Sequence, residues 1–211
     1  MREQDVLDLV VVVADSHAER ALQTILEQRH KSVPMRPITF ALLRCPGNDP
    51  QARVKGPDFL REYQRRARHG LIVFDREGCG QESSTAEELE QELEARLAQI
   101  WGDRAAVVVI DPELESWVWA GRSQIQSELG LSGEGLRAVL GGFEMGLEGK
   151  PCRPKEAFEE ALRRAQRPAS AALYGKLAET IGLKECGNRS FTKLRDCLNR
   201  WFPVDDRTES V

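Results

Sequence analysis

Apolar residues fall along this chain in two rhythms, and the change between them organises it. Four runs are apolar but for Asp8 and Thr39 and rich in Val, Ile and Leu: Val6–Val13, Ile38–Leu43, Leu71–Phe74 and Ala105–Ile110. A short unbroken run bounded by turn residues marks a strand covered on both faces. Between these runs the apolar residues recur at spacings of three and four. They predict helices over His17–Arg29 (Ala18, Ala21, Leu22, Ile25, Leu26), Phe59–Arg68 and Ala86–Ile100 (Leu89, Leu93, Leu97). Cys45–Pro57, rich in Pro, Gly, Asn and Asp, reads as a loop. After Gly121 the strand signal stops. Gly130–Gly149 is glycine-punctuated and suggests a short helix between loops, and further helices are expected at Pro154–Arg167, Ala171–Ile181 and Ser190–Trp201. The remainder, Phe202–Val211, is polar and expected to fray. Strands alternating with helices, then helices alone, predict an α/β fold: a mostly parallel four-stranded sheet flanked by helices, with an all-helical C-terminal part. The expected organisation is an α/β domain over 1–121, a helical subdomain over 122–203 and a flexible tail over 204–211.

The ends of these elements carry the chemistry. Val10–Val13 leads to Asp15, Leu71–Phe74 leads to Asp75-Arg76-Glu77 and two glycines, and Val107–Ile110 leads to Asp111, Glu113 and Glu115. In open α/β sheets ligands bind beyond the carboxyl ends of the strands. Ser16 with Glu19 fits a capping box, which occupies Glu19 and leaves Asp15 as the better ligand candidate. Asp111-Pro112 reads as a helix start, with Asp at the cap and Pro at the first position. Glu113 and Glu115 then fall in a first turn, where the helix dipole already favours acids. Trp117 and Trp119 read as packing residues, and the Glu87, Glu88, Glu90, Glu92, Glu94 run as a solvated face.

Composition narrows the class. The 211 residues are 41% hydrophobic and 30% charged, which describes an ordinary folded chain. No apolar run nears the roughly 20 residues that span a bilayer. MREQDVLDL places acids ahead of its apolar run, unlike a signal peptide, so a cytoplasmic location is expected. Five scattered cysteines, with no Cys-x-x-Cys and no histidine at zinc spacing, read as reduced and non-ligating, with Cys79 possible as an exposed loop thiol. Charge divides unevenly: 17 basic against 25 acidic residues over 1–149, 12 against 6 over 150–201. An acidic first part suits cations and a basic second part suits phosphate backbones; charged outer faces of helices account for the same counts.

Metal-assisted phosphodiester cleavage needs carboxylates that hold Mg²⁺ or Mn²⁺, which activates water and neutralises the displaced charge. Asp15, Asp75 and Glu77 are the catalytic candidates and the first metal ligands, and Glu113 and Glu115 are candidates to complete a second metal position. Arg53, Lys55, Lys150, Arg153 and Lys155 are the candidates to hold nucleic-acid phosphate. If the basic part contacts nucleic acid, affinity should fall steeply with salt; Lys155, Arg163, Arg164 and Lys193 are the residues so tested.

VVADSHAERAL, LIVFDREGCG and VVVIDPELESWVW together resemble the TOPRIM-like fold of bacterial defence nucleases. With RPKEAFEEAL, SAALY and LNRWFP, the pattern is similar to the small TOPRIM-like component, the fourth protein, of the bacterial methylation-associated anti-phage defence system. The resemblance spans most of the chain and implies a TOPRIM-like sheet. It puts Asp15 in the family's first acid position and Asp75 and Glu77 in its acid-x-acid pair. It departs from the pattern twice, with Asp for the usual first Glu and Asp-x-Glu for Asp-x-Asp. It implies an anti-phage role as a Mg²⁺-dependent nuclease or phosphoryl-transfer module acting on DNA. The implied partners are the other proteins of that system, with DNA and a second copy of the chain as further candidates and no membrane. The alternative is a non-catalytic subunit that binds a partner protein or DNA. There is no Gly-x-x-x-x-Gly-Lys-Ser/Thr and no Gly-x-Gly-x-x-Gly for a nucleotide-binding regulator. Few Trp and Tyr speak against a sugar-cleaving cleft.

Overall fold

A computed structural model describes residues 6–29, 32–146, 149–182 and 186–204. The element order is β1 (Leu7–Val13), α1 (Ser16–Gln28), β2 (Phe40–Arg44), α2 (Asn48–Arg61), β3 (Ala67–Asp75), α3 (Ala86–Trp101) and β4 (Ala105–Ile110). Then follow α4 (Glu115–Val118), α5 (Arg122–Leu129), α6 (Gly133–Leu140), α7 (Pro154–Arg164), α8 (Ala171–Thr180) and α9 (Arg189–Trp201). The sheet is α/β in class, four-stranded and all parallel, in the order β2-β1-β3-β4.

This order dictates the layers. The step from β1 to β2 crosses the sheet in one direction, and the steps to β3 and β4 cross it in the other. Right-handed crossovers therefore send α1 to one face and α2 and α3 to the opposite face. Side-chain alternation follows: Leu9, Val11, Val13, Leu71, Val73, Val108 and Ile110 share a core with α1, whereas Val10, Val12, Ile72, Phe74, Val107 and Val109 pack with α2 and α3. One helix cannot cover its whole face, and α4, α8 and α9 complete that layer with Trp117, Leu173, Leu177, Phe191, Leu194 and Leu198. Each such fully buried aliphatic or aromatic side chain is worth about 1.5–3 kcal/mol. α8 lies close against α1, where a Cβ on Gly175 would come within 2.9 Å of Arg20 Nε.

The edge strand β4 is closed by side chains. Its outward amides at Val109 and Val107 donate to Glu90 Oε1 (2.9 Å) and Glu94 Oε1 (3.0 Å) on α3. Arg189 and Lys193 of α9 then clasp the same glutamates, Arg189 Nη1 and Lys193 Nζ lying 2.9 and 3.0 Å from Glu90 Oε2. Glu90 is 2% exposed. The solvated-face reading of the glutamate run is thus corrected at this position, because strand amides without a fifth strand need acceptors.

Other expectations are corrected too. Cys45–Pro57 is mostly helix: α2 starts at Asn48, tolerates Pro57, and uses Gly56 to lie on Ile72. The helix expected over Phe59–Arg68 ends at Arg61, and β3 begins early at Ala67. Gly130–Gly149 contains α6, with α5 ahead of it. Phe202 is buried, its carbonyl accepting from the Arg36 amide at 3.0 Å and its ring lying under the Arg36 guanidinium; residues 205–211 of the expected tail lie outside the described residues. All five cysteines are free, and Cys79 is fully buried, so it is no exposed thiol. No helix among the described residues is long and apolar enough to cross a membrane.

Candidate functional site

Parallel strands put every carboxyl end on one rim, and the chain reverses its direction of travel at β1. The loops after β1 and β3 therefore lead to opposite faces and leave a crevice between them, the usual ligand position in such sheets. Asp15 and Asp75 stand at that crevice. Val13 pairs with Val73, so both acids lie two residues beyond the same level on neighbouring strands. By alternation Asp75 falls on the face of Leu71 and Val73, the side of α1, α4 and α8.

Asp75 is the centre of the arrangement. Its backbone amide donates to Asp49 Oδ1 at 2.8 Å. Burial, then the charges of Asp49, Glu115 and Asp15, push its carboxyl well above the ordinary aspartate range, with a backbone hydrogen bond from Leu114 opposing them. Asp49 is raised as well, by burial first, and its bond from the Asp75 amide works in the other direction. Among the described residues no lysine or arginine lies within ion-pair distance of Asp75.

The remaining acids divide. Asp15 caps α1, Oδ1 accepting from the His17 and Ala18 amides at 2.8 Å each. This corrects the expected Ser16–Glu19 capping box; Glu19 instead lies 3.7 Å from Arg44. Asp15 keeps a second oxygen for other partners. Glu115, 5% exposed, accepts from the Tyr174 hydroxyl. Burial and the Glu115 charge hold that phenol far above its ordinary value, so Tyr174 stays a donor, and its ring stacks on His17 with centroids 4.3 Å apart. Glu113, 7% exposed, is raised by burial; Lys155 Nζ lies 3.3 Å from its Oε2, outside good hydrogen-bond geometry. Lys155 is in turn held protonated, its burial outweighed by Glu113, Glu115 and Asp75 together. Glu77 is exposed, its amide donating to the Pro112 carbonyl at 3.0 Å, and the charge it acts on is Arg76.

The helix expected to start at Asp111-Pro112 begins at Glu115 instead. The Asp111-Pro112 bond is cis, and the Asp111 side chain accepts from Arg76 Nε at 2.8 Å. Trp117 and Trp119 pack as expected, their indole N–H groups donating to Ser190 Oγ (2.9 Å) and the Pro154 carbonyl (2.8 Å).

The basic candidates do not converge. Arg53 Nε donates to the Cys79 carbonyl at 3.0 Å, and Lys55 is exposed on α2. Lys150 lines a cleft with Arg122 and Trp119. Arg153 lies over the Phe143 ring and lines a separate groove of about 480 Å³ with Arg163 and Arg164, both of which also bind Glu160. Only Lys155 reaches the acids.

A hard divalent cation suits this donor set in type and in charge, since among the described residues Asp75 has no ion-pair partner and Lys155 alone stands at the margin of the crowded acids. Among the described residues no three His, Cys, Asp or Glu side chains close on one point; Mg²⁺ itself takes one or two carboxylates and keeps several waters. Sequence reasoning missed Asp49 and Tyr174. Asp49 follows a strand end, as the other candidates do, and was hidden by the proline-rich stretch read as loop. Tyr174, a century of residues from Asp75, left no local signal. The chain matches no protein-family model, no curated protein and no solved structure.

Proposed function

We propose that this chain is the TOPRIM-like component of a bacterial methylation-associated anti-phage defence system, acting in the cytoplasm as a Mg²⁺-dependent nuclease or phosphoryl-transfer module on DNA. The observation that carries the reading is the crowding of Asp15, Asp49 and Glu115 around the half-buried carboxyl of Asp75, at the switch point of a parallel sheet. Asp75 and Asp49 would hold the cation, with the outer oxygen of Asp15 beside them. A bound cation supplies an activated water and neutralises charge on a phosphoryl group. Tyr174 orients Glu115 by donating to it, and Lys155, at the margin of the acids, meets an incoming phosphate. Calorimetric titration with Mn²⁺ tests the reading: uptake by the wild type, lost in Asp75→Asn together with DNA cleavage and phage protection in cells carrying the complete system. No Mn²⁺ uptake, with protection unchanged in Asp75→Asn, overturns it.

One observation favours the second reading, a non-catalytic subunit that binds a partner protein or DNA. Asp15 caps α1, Glu115 is bonded to Tyr174 and Glu113 is paired to Lys155, so three of the acids already have structural employment. Under that reading Asp75→Asn keeps protection.

A further inference from the structure

We infer that the outer edge of β2 is the surface through which two copies of this chain pair, antiparallel and related by a two-fold axis at Leu42. The sheet has two edges, and they are finished differently. On β4, Glu90 and Glu94 take the outward amides of Val109 and Val107. On β2 the odd positions face inward: the Thr39 carbonyl accepts from the Leu9 amide at 3.1 Å, and the Cys45 amide donates to the Val13 carbonyl at 2.9 Å. Phe40, Leu42 and Arg44 therefore turn their N–H and C=O groups away from β1, and among the described residues no group bonds to them. An uncovered row of this kind is a template for a further strand.

The side chains choose the partner. Ile38, Phe40 and Leu42 are half-buried and line a groove of about 380 Å³ with Glu19, Gln23 and Glu27 of α1. The charge on the strand itself is Arg44, which lies 3.7 Å from Glu19. Glu27 is eight residues, about 12 Å, further along α1, and Phe40 is four residues, about 13 Å, back along β2. Glu27 thus stands level with Phe40 as Glu19 stands level with Arg44. In antiparallel pairing centred on Leu42, the second copy's Arg44 falls opposite Phe40 on the face of α1 and meets the exposed Glu27. The exchange occurs twice, the outward groups of all three residues are satisfied in both copies, and Phe40 and Leu42 of each close over one apolar strip. A second copy also brings its own uncovered edge, so the pair is an eight-stranded sheet bounded on both sides by the closed β4 edge. No residue used here belongs to the acids around Asp75, so the inference stands apart from the metal reading.

Sedimentation velocity of the full chain over a concentration series tests it, with a dimer expected for the wild type. Leu42→Lys removes a leucine from each copy and sets two cations opposite one another, which should weaken association about a hundredfold. Arg44→Glu places acid against Glu27 and should weaken it about tenfold; adding Glu27→Arg to Arg44→Glu should restore the dimer, because the pair is then reversed rather than lost. Thermal melting of each variant checks that it is folded. A wild type that stays monomeric at every concentration overturns the inference and gives the edge to a strand of another protein. A dimer that a folded Leu42→Lys leaves intact overturns it as well, and so does a double variant that stays as weak as Arg44→Glu.

Discussion

Two groups of carboxylates sit on this sheet, and they are treated in opposite ways. Along the β4 edge, Glu90 and Glu94 accept from strand amides and are clasped by Arg189 and Lys193. At the carboxyl rim, Asp75 is crowded by Asp49, Glu115 and Asp15 with no cation in contact. The first group is burial made tolerable by pairing; the second sets four like charges at one rim, with Lys155 only at its margin. The partners separate the two roles: the crowded group is the functional candidate and the paired group is architecture.

Substitutions can break or sharpen the contrast. The largest effect is expected from Glu90→Ala, which leaves the buried Val109 amide without its acceptor while Arg189 and Lys193 keep Glu87 and Glu94; an unsatisfied buried amide costs about 1–3 kcal/mol, read as a lower melting temperature. Asp75→Asn should act in the other direction. Because the folded state raises this carboxyl, its contribution to stability is present when it is protonated and is lost as pH rises through the elevated value. The neutral amide should therefore melt higher than wild type near pH 8, by about 2–4 °C for each kcal/mol relieved, and the difference should shrink towards pH 4. A lower melting point for Asp75→Asn at pH 8 would erase the distinction between the two groups. The smallest effect separates the cap from the rim: Asp15→Ala should cost about 1 kcal/mol, while Asp15→Ser should keep most of the stability and lose any Mn²⁺ contribution from Asp15.

The sequence made the sheet legible because doubly covered strand segments must be unbroken apolar runs, as Leu9–Val13 of β1, Leu71–Phe74 of β3 and β4 are. It also made the rim legible, since parallel strands send their ends to one side. What stayed hidden depended on neighbours. Pro50, Gly56 and Pro57 argue for a loop by local propensity, yet packing of Gly56 on Ile72 holds them in α2, and Asp49 was lost with that misreading. Ser16 looked like the cap because Ser-x-x-Glu is a known pattern, while Asp15, one residue earlier, takes the His17 and Ala18 amides and starts the helix itself. Glu90 looked solvated because nothing local reveals that Arg189, a hundred positions later, will cover it.

The order of the layers also constrains how the chain comes off the ribosome. When residue 121 has emerged, every strand exists, but the face of Leu71, Val73 and Val108 has only α1 and the single turn of α4 to shelter it. That surface stays greasy until α8 and α9 have been synthesised, so a nascent chain stalled before then exposes the patch that chaperones bind and aggregates grow from.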